Sequence, residues 1–100
     1  MRGNPVAYRN LYHHLTELLS YLEISLDSEF ILEELDAALY ESRTTFGKRH
    51  ALTLQMQEQF SDLYRRYIDR KAEPLDKNDS RQLKFKIQEW LIKFYRKHPY

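Results

Sequence analysis

Apolar residues recur along this chain at steps of three and four, the period of one face of an α-helix. In the first segment Tyr8, Leu11, Tyr12, Leu15, Leu18, Leu19, Leu22 and Leu26 form such a stripe, behind a proline at position 5 that suits a first helical turn. Ser25, Leu26, Asp27 and Ser28 interrupt it. Asp27 or Ser28 is placed to cap a second helix, and Glu29 is favourable at that helix's positive end. The second stripe is Ile31, Leu35, Ala38 and Leu39, flanked by Phe30 and Leu32.

The stretch 42–47 weakens helix through Thr44, Thr45 and Gly47, without a proline to force a stop. A longer third segment, from about 48 to 71, carries Leu52, Met56, Phe60, Leu63, Tyr64 and Tyr67, with Ile68 beside them. Pro74 lies past its end, and the polar run 76–80 reads as the clearest loop of the chain. Asp79 and Gln82 have the spacing of a capping box. They open a fourth segment with Leu83, Ile87, Trp90, Leu91 and Phe94 inward, which Pro99 ends.

No stretch alternates apolar and polar residues long enough for a strand. Each helix has one apolar face and must bury it on the others. Short connections favour antiparallel neighbours, so the expected fold is all-α: an up-down antiparallel four-helix bundle, one domain spanning 1–100. The structural alternative is a three-helix bundle in which the second and third segments fuse through 44–47.

Composition narrows the function classes. The chain has 100 residues with 42% hydrophobic and 31% charged, which suffices for one core but not comfortably for two. Two glycines and no cysteine argue against a glycine-rich phosphate loop and exclude disulfides and cysteine-held metals. The longest aliphatic runs are two or three residues, far short of a signal-peptide core or a membrane span, so a cytoplasmic protein is expected.

Charge is segregated beneath a net value of only +1. Residues 1–42 hold eight acidic and two basic side chains, whereas residues 43–100 hold fourteen basic and seven acidic ones. The second helix collects Glu29, Glu33, Glu34, Asp36 and Glu41. The last collects Lys84, Lys86, Lys93, Arg96 and Lys97 against Glu89 alone. Two readings follow. In one, the acidic and basic helices pack side by side and pair internally, each exposed pair contributing about 0–1 kcal/mol. In the other, one face docks an oppositely charged partner, or the two halves pair between copies as a homodimer.

Candidate chemistry is sparse. His13 and His14 each approach Glu17 at helical spacing, but His50 and His98 stand apart in sequence, so neither a metal nor another cofactor is expected. The serines lack a nucleophile elbow, and the adjacent Glu33 and Glu34 diverge around a helix, so no catalytic residue is assigned and the chain is expected not to be an enzyme.

Tyrosine carries more information. Tyr21 and Tyr40 fall off the apolar stripes, and exposed tyrosine adds contact area at low entropic cost. With Glu33, Asp36 and Glu41 they outline an acidic–aromatic partner-binding face, so a protein partner is expected. The alternative surface is basic: Arg66, Arg70, Lys86, Lys93, Arg96 and Lys97, interleaved with Trp90, Phe94 and Tyr95, as a nucleic-acid accessory protein would need. Without a helix-turn-helix or RNA-recognition signature, that surface rests on charge alone.

The layout of about a hundred residues, four antiparallel helices and a basic last helix resembles that of small bacteriocin immunity proteins, and of helical adaptors in general. The likeness covers the whole chain and is architectural. It implies a small regulatory protein that works by protein–protein interaction, and it transfers no residue.

Overall fold

The computed structural model describes residues 5–70 and 73–96. The helices are α1 (Pro5–Tyr21), α2 (Ser28–Phe46), α3 (Ala51–Tyr67) and α4 (Lys77–Leu91), the last running on into a π-helical turn, Ile92–Arg96. Among the described residues there are no strands, and the four-helix bundle replaces the fused three-helix alternative. Gly47 decides this. Its φ is +97°, a region that L side chains rarely adopt, and its N–H closes on Arg43 O at 2.9 Å. Helix therefore continues through Thr44 and Thr45, which were expected to break it, and stops at the glycine.

The stripes became the core. Tyr8, Leu11, Leu15 and Leu18 of α1, Ile31, Leu35 and Leu39 of α2, Leu52, Met56 and Leu63 of α3, and Leu83, Ile87 and Trp90 of α4 are buried in one cluster. Three expectations shift. The helix of the first segment ends at Tyr21, so Leu26 joins the core from the connection rather than from a helix. Tyr12, Tyr64 and Ile68 lie at the edge and stay exposed. The fourth helix starts at Lys77 with Asp76 as cap, its carboxylate accepting from Asn78 N–H at 2.7 Å. Much of the expected 76–80 loop is thus the first turn of α4. Asp79 is no cap there, and no capping box with Gln82 forms. Pro99, Lys71 and Lys97 lie outside the described residues.

The molecule measures 41 × 23 × 18 Å, a cross-section that fits two helices by two at the usual 8–10 Å spacing. Packing runs α1 on α2, α2 on α3, α3 on α4 and α4 on α1. The connections at one end are tied together: Leu75 N–H donates to Leu26 O at 2.7 Å, and Ser28 Oγ donates to Glu73 O at 2.5 Å. At the other end Tyr8, Phe46, His50 and Phe94 form an aromatic cluster.

His50 does two jobs in that cluster. Its Nδ1 accepts from Leu52 N–H at 3.1 Å, capping α3, and its ring stacks on Phe46 at 4.3 Å. Burial holds its pKa below the usual 6.5. Protonation removes the acceptor and places a cation at the positive end of a helix. The unfolded chain therefore binds more protons between the folded and unfolded values, and stability falls as pH drops below about 6.5. Urea unfolding at pH 7.5 and pH 5.5 is expected to show this fall, and His50→Asn, which keeps a cap acceptor without titrating, is expected to reduce it. An equal fall in both proteins refutes the assignment.

Candidate interaction surface

The period that buries Ile31, Leu35, Ala38 and Leu39 turns the opposite row of α2 outward. Glu29, Glu33, Asp36 and Tyr40 follow one another at steps of four, three and four, and all four are exposed. Tyr40 is 65% accessible and stands at the end of a row about 16 Å long, at 1.5 Å per residue. No ion pair to Glu29, Glu33 or Asp36 occurs among the described residues. Three carboxylates one helical turn apart repel by tenths of a kcal/mol per neighbour, so this row costs the isolated molecule a little stability.

The side-by-side pairing of acidic and basic helices is not what the bundle shows. The packing neighbours of α2 are α1 and α3, and those of α4 are also α1 and α3. α2 and α4 are therefore diagonal, with their outer rows facing opposite ways. Short connections in an up-down bundle impose this order, because consecutive helices become neighbours. The bridges that do form lie elsewhere: Lys84 with Glu23 in the α1–α2 connection, Arg66 with Asp62 and Asp79, and His14 with Glu34 at 3.6 Å.

The expected acidic–aromatic set is only partly brought together. Glu33, Asp36 and Tyr40 share the outer row. Glu41 is half-buried and belongs to the row Phe30, Glu34, Ala37, Glu41, which turns toward α1 as the His14–Glu34 contact shows. Tyr21 is also half-buried and packs on Phe30, the ring centres 4.1 Å apart and the planes tilted by 43°. It lines a shallow groove of about 330 Å³ between α1 and α2 with His13, Glu17, Ile24 and Glu34. Tyr21 lies beside Phe30, ten positions and about 15 Å along α2 from Tyr40, so the two tyrosines do not form one patch. Sequence spacing alone would have found Glu29, which continues the Glu33–Asp36–Tyr40 row. It would not have found Ile24, 81% accessible in the connection.

The alternative basic set is divided too. Arg66 donates to Asp62 Oδ2 at 3.0 Å and to Asp79 Oδ1 at 2.7 Å, so its charge is engaged within the bundle. Arg70 sits over the Tyr67 ring at 5.7 Å. Lys86 is exposed on α4 and Lys93 on the π-helical turn after it, with the Lys93 ammonium 5.9 Å from the Phe94 ring. Arg96 is the last described position, and Lys97 is beyond it. Trp90 is fully buried, its indole N–H donating to Gln55 Oε1 at 2.9 Å, and Phe94 is partly buried. The aromatics that would stack on bases are thus committed to packing. The outer face of α4 and of the turn after it instead presents Arg81, Phe85, Glu89 and Ile92, with Phe85 65% and Ile92 54% accessible. Phe85 falls two positions after buried Leu83, an offset that obliges it to point away from the core.

Among the described residues no group of three histidine, aspartate or glutamate side chains is placed to hold a metal. His13 and Glu17 meet at 3.4 Å as an exposed pair. No helix of the described residues is long and apolar enough to cross a membrane. Burial pushes the Tyr95 hydroxyl well above the usual tyrosine range, and it donates to Tyr8 O at 3.3 Å. No protein-family model matches the chain, and neither does any curated protein or solved structure.

Proposed function

We propose that this chain is a non-enzymatic binding module that recognises a basic segment of a protein partner through the outer row of α2. The observation that carries this reading is the Glu29–Glu33–Asp36–Tyr40 row, aligned, exposed and without an ion pair among the described residues. A row that repels itself adds nothing to the fold, and a basic partner removes the repulsion while Tyr40 supplies an aromatic anchor. Charge of one sign on one edge also steers encounter and fixes orientation. The binding role agrees with what the layout of immunity proteins and adaptors implies.

Two immobilised proteins test it: the wild type and the double variant Glu33→Lys, Asp36→Lys, each exposed to native lysate with and without nuclease. The expected result is a protein retained by the wild type, lost by the variant and unaffected by nuclease. Material retained equally by both proteins, or released by nuclease, refutes the α2 reading; nuclease release points to the basic surface instead.

A further inference from the structure

The two outer faces of this bundle carry opposite net charge. The α2 row offers three carboxylates, Glu29, Glu33 and Asp36, and an exposed aromatic, Tyr40. The outer side of α4 and the π-helical turn that continues it offers three exposed cations, Arg81, Lys86 and Lys93, which flank exposed Phe85 and Ile92 and one exposed carboxylate, Glu89. Among the described residues none of these seven charged groups makes an ion pair within the chain. The diagonal placement of α2 and α4 keeps the rows from meeting within one molecule. A net charge of +1 leaves little long-range repulsion between copies.

We infer that the occupant of the α2 row is a second copy of this chain, docking through the outer face of its α4. This rests on the reading of α2 as a docking surface and goes further by naming what docks. Three carboxylates meet a face that carries three cations against the single carboxylate of Glu89, and the apolar Phe85 and Ile92 are covered on contact. The interface is heterologous: one copy gives α2 and the other gives α4. Because the two rows point to opposite sides of the bundle, a pair of copies cannot make both contacts at once. Assembly therefore continues past the dimer, as a ring of three or more or as an open chain, and a dimer closed by a two-fold axis is excluded.

Sedimentation equilibrium at low ionic strength tests this with two variants, α2-reversed (Glu33→Lys, Asp36→Lys) and α4-reversed (Lys86→Glu, Lys93→Glu). The wild type is expected to show a weight-average mass that rises with concentration beyond two chains of 12.2 kDa. Each variant alone carries rows of like sign and is expected to lose roughly tenfold or more in apparent affinity. An equimolar mixture of the variants is expected to regain association, because α2 of the first then faces α4 of the second with opposite charge. That recovery also shows that both variants are folded. A wild type that stays at one chain mass, a mass that saturates at two chains, a variant that associates as well as the wild type, or a mixture that fails to recover overturns the inference. A single-chain wild type leaves the foreign-partner reading to the lysate experiment, so the two failures are separable.

Discussion

Trp90→Ala is expected to destabilise the bundle by about 3–5 kcal/mol, the range for removing a fully buried aromatic. Trp90 is the largest side chain with no accessible surface, and it sits where α4 closes on α3. Two losses combine. The indole volume becomes a cavity in the core cluster, whose side chains relax only in part. The Gln55 amide oxygen, which accepts the indole N–H at 2.9 Å, loses its partner. A domain of this size has about 5–15 kcal/mol in all, so this change removes a large fraction. The melting midpoint should fall by roughly 4–8 °C for each kcal/mol. A fall below a few degrees would show that Trp90 is not the keystone of the α3–α4 contact. Trp90→Phe keeps most of the volume and is expected to lose much less.

Asp79→Ala is expected to cost about 2–3 kcal/mol, unusually much for a residue near a helix start. Its side chain is 14% accessible, and its two oxygens serve different partners. Oδ2 accepts from the Tyr67 hydroxyl at 2.7 Å, and that hydroxyl in turn accepts from Asp76 N–H at 2.8 Å. Oδ1 accepts from Arg66 Nη2 at 2.7 Å. Burial, with the adjacent carboxylate adding to it, raises the Tyr67 pKa, so this hydroxyl remains a donor throughout the neutral range. Removing the carboxylate strands a buried donor and unties α3 from the start of α4. Asp79→Asn keeps an acceptor for Tyr67 and is expected to cost less in urea titrations. If alanine and asparagine cost the same, the Arg66 charge pair rather than the Tyr67 bond carries the effect.

These residues show what the sequence reveals and what it does not. The four apolar stripes were legible because each follows from local period alone, and Asp27, capping α2 through Glu29 N–H at 3.1 Å, was legible from residue type. Helix ends were less so. Leu26 continues the first stripe in number yet reaches the core from a connection, and the break between α2 and α3 rests on the positive φ of Gly47 and the cap that His50 makes. Asp79 looks like a cap in sequence; its role depends on Tyr67 and Arg66, twelve and thirteen positions away, which packing brings to it. Tyr21 and Tyr40 share the property of lying off their stripes, but that property does not say on which side. The contact of Tyr21 with Phe30 puts it in the α1–α2 groove, whereas Tyr40 faces solvent.

The account turns on one claim, that the carboxylates of Glu29, Glu33 and Asp36 project to solvent with no ion pair to meet them among the described residues. Urea unfolding of Glu33→Lys, Asp36→Lys beside the wild type, at low salt and low protein concentration, tests it most directly. Relief of like-charge repulsion along α2 predicts a stability equal to the wild type or higher by a few tenths of a kcal/mol. A loss of more than about 1 kcal/mol would mean that these carboxylates already have partners within the chain, and would contradict the account.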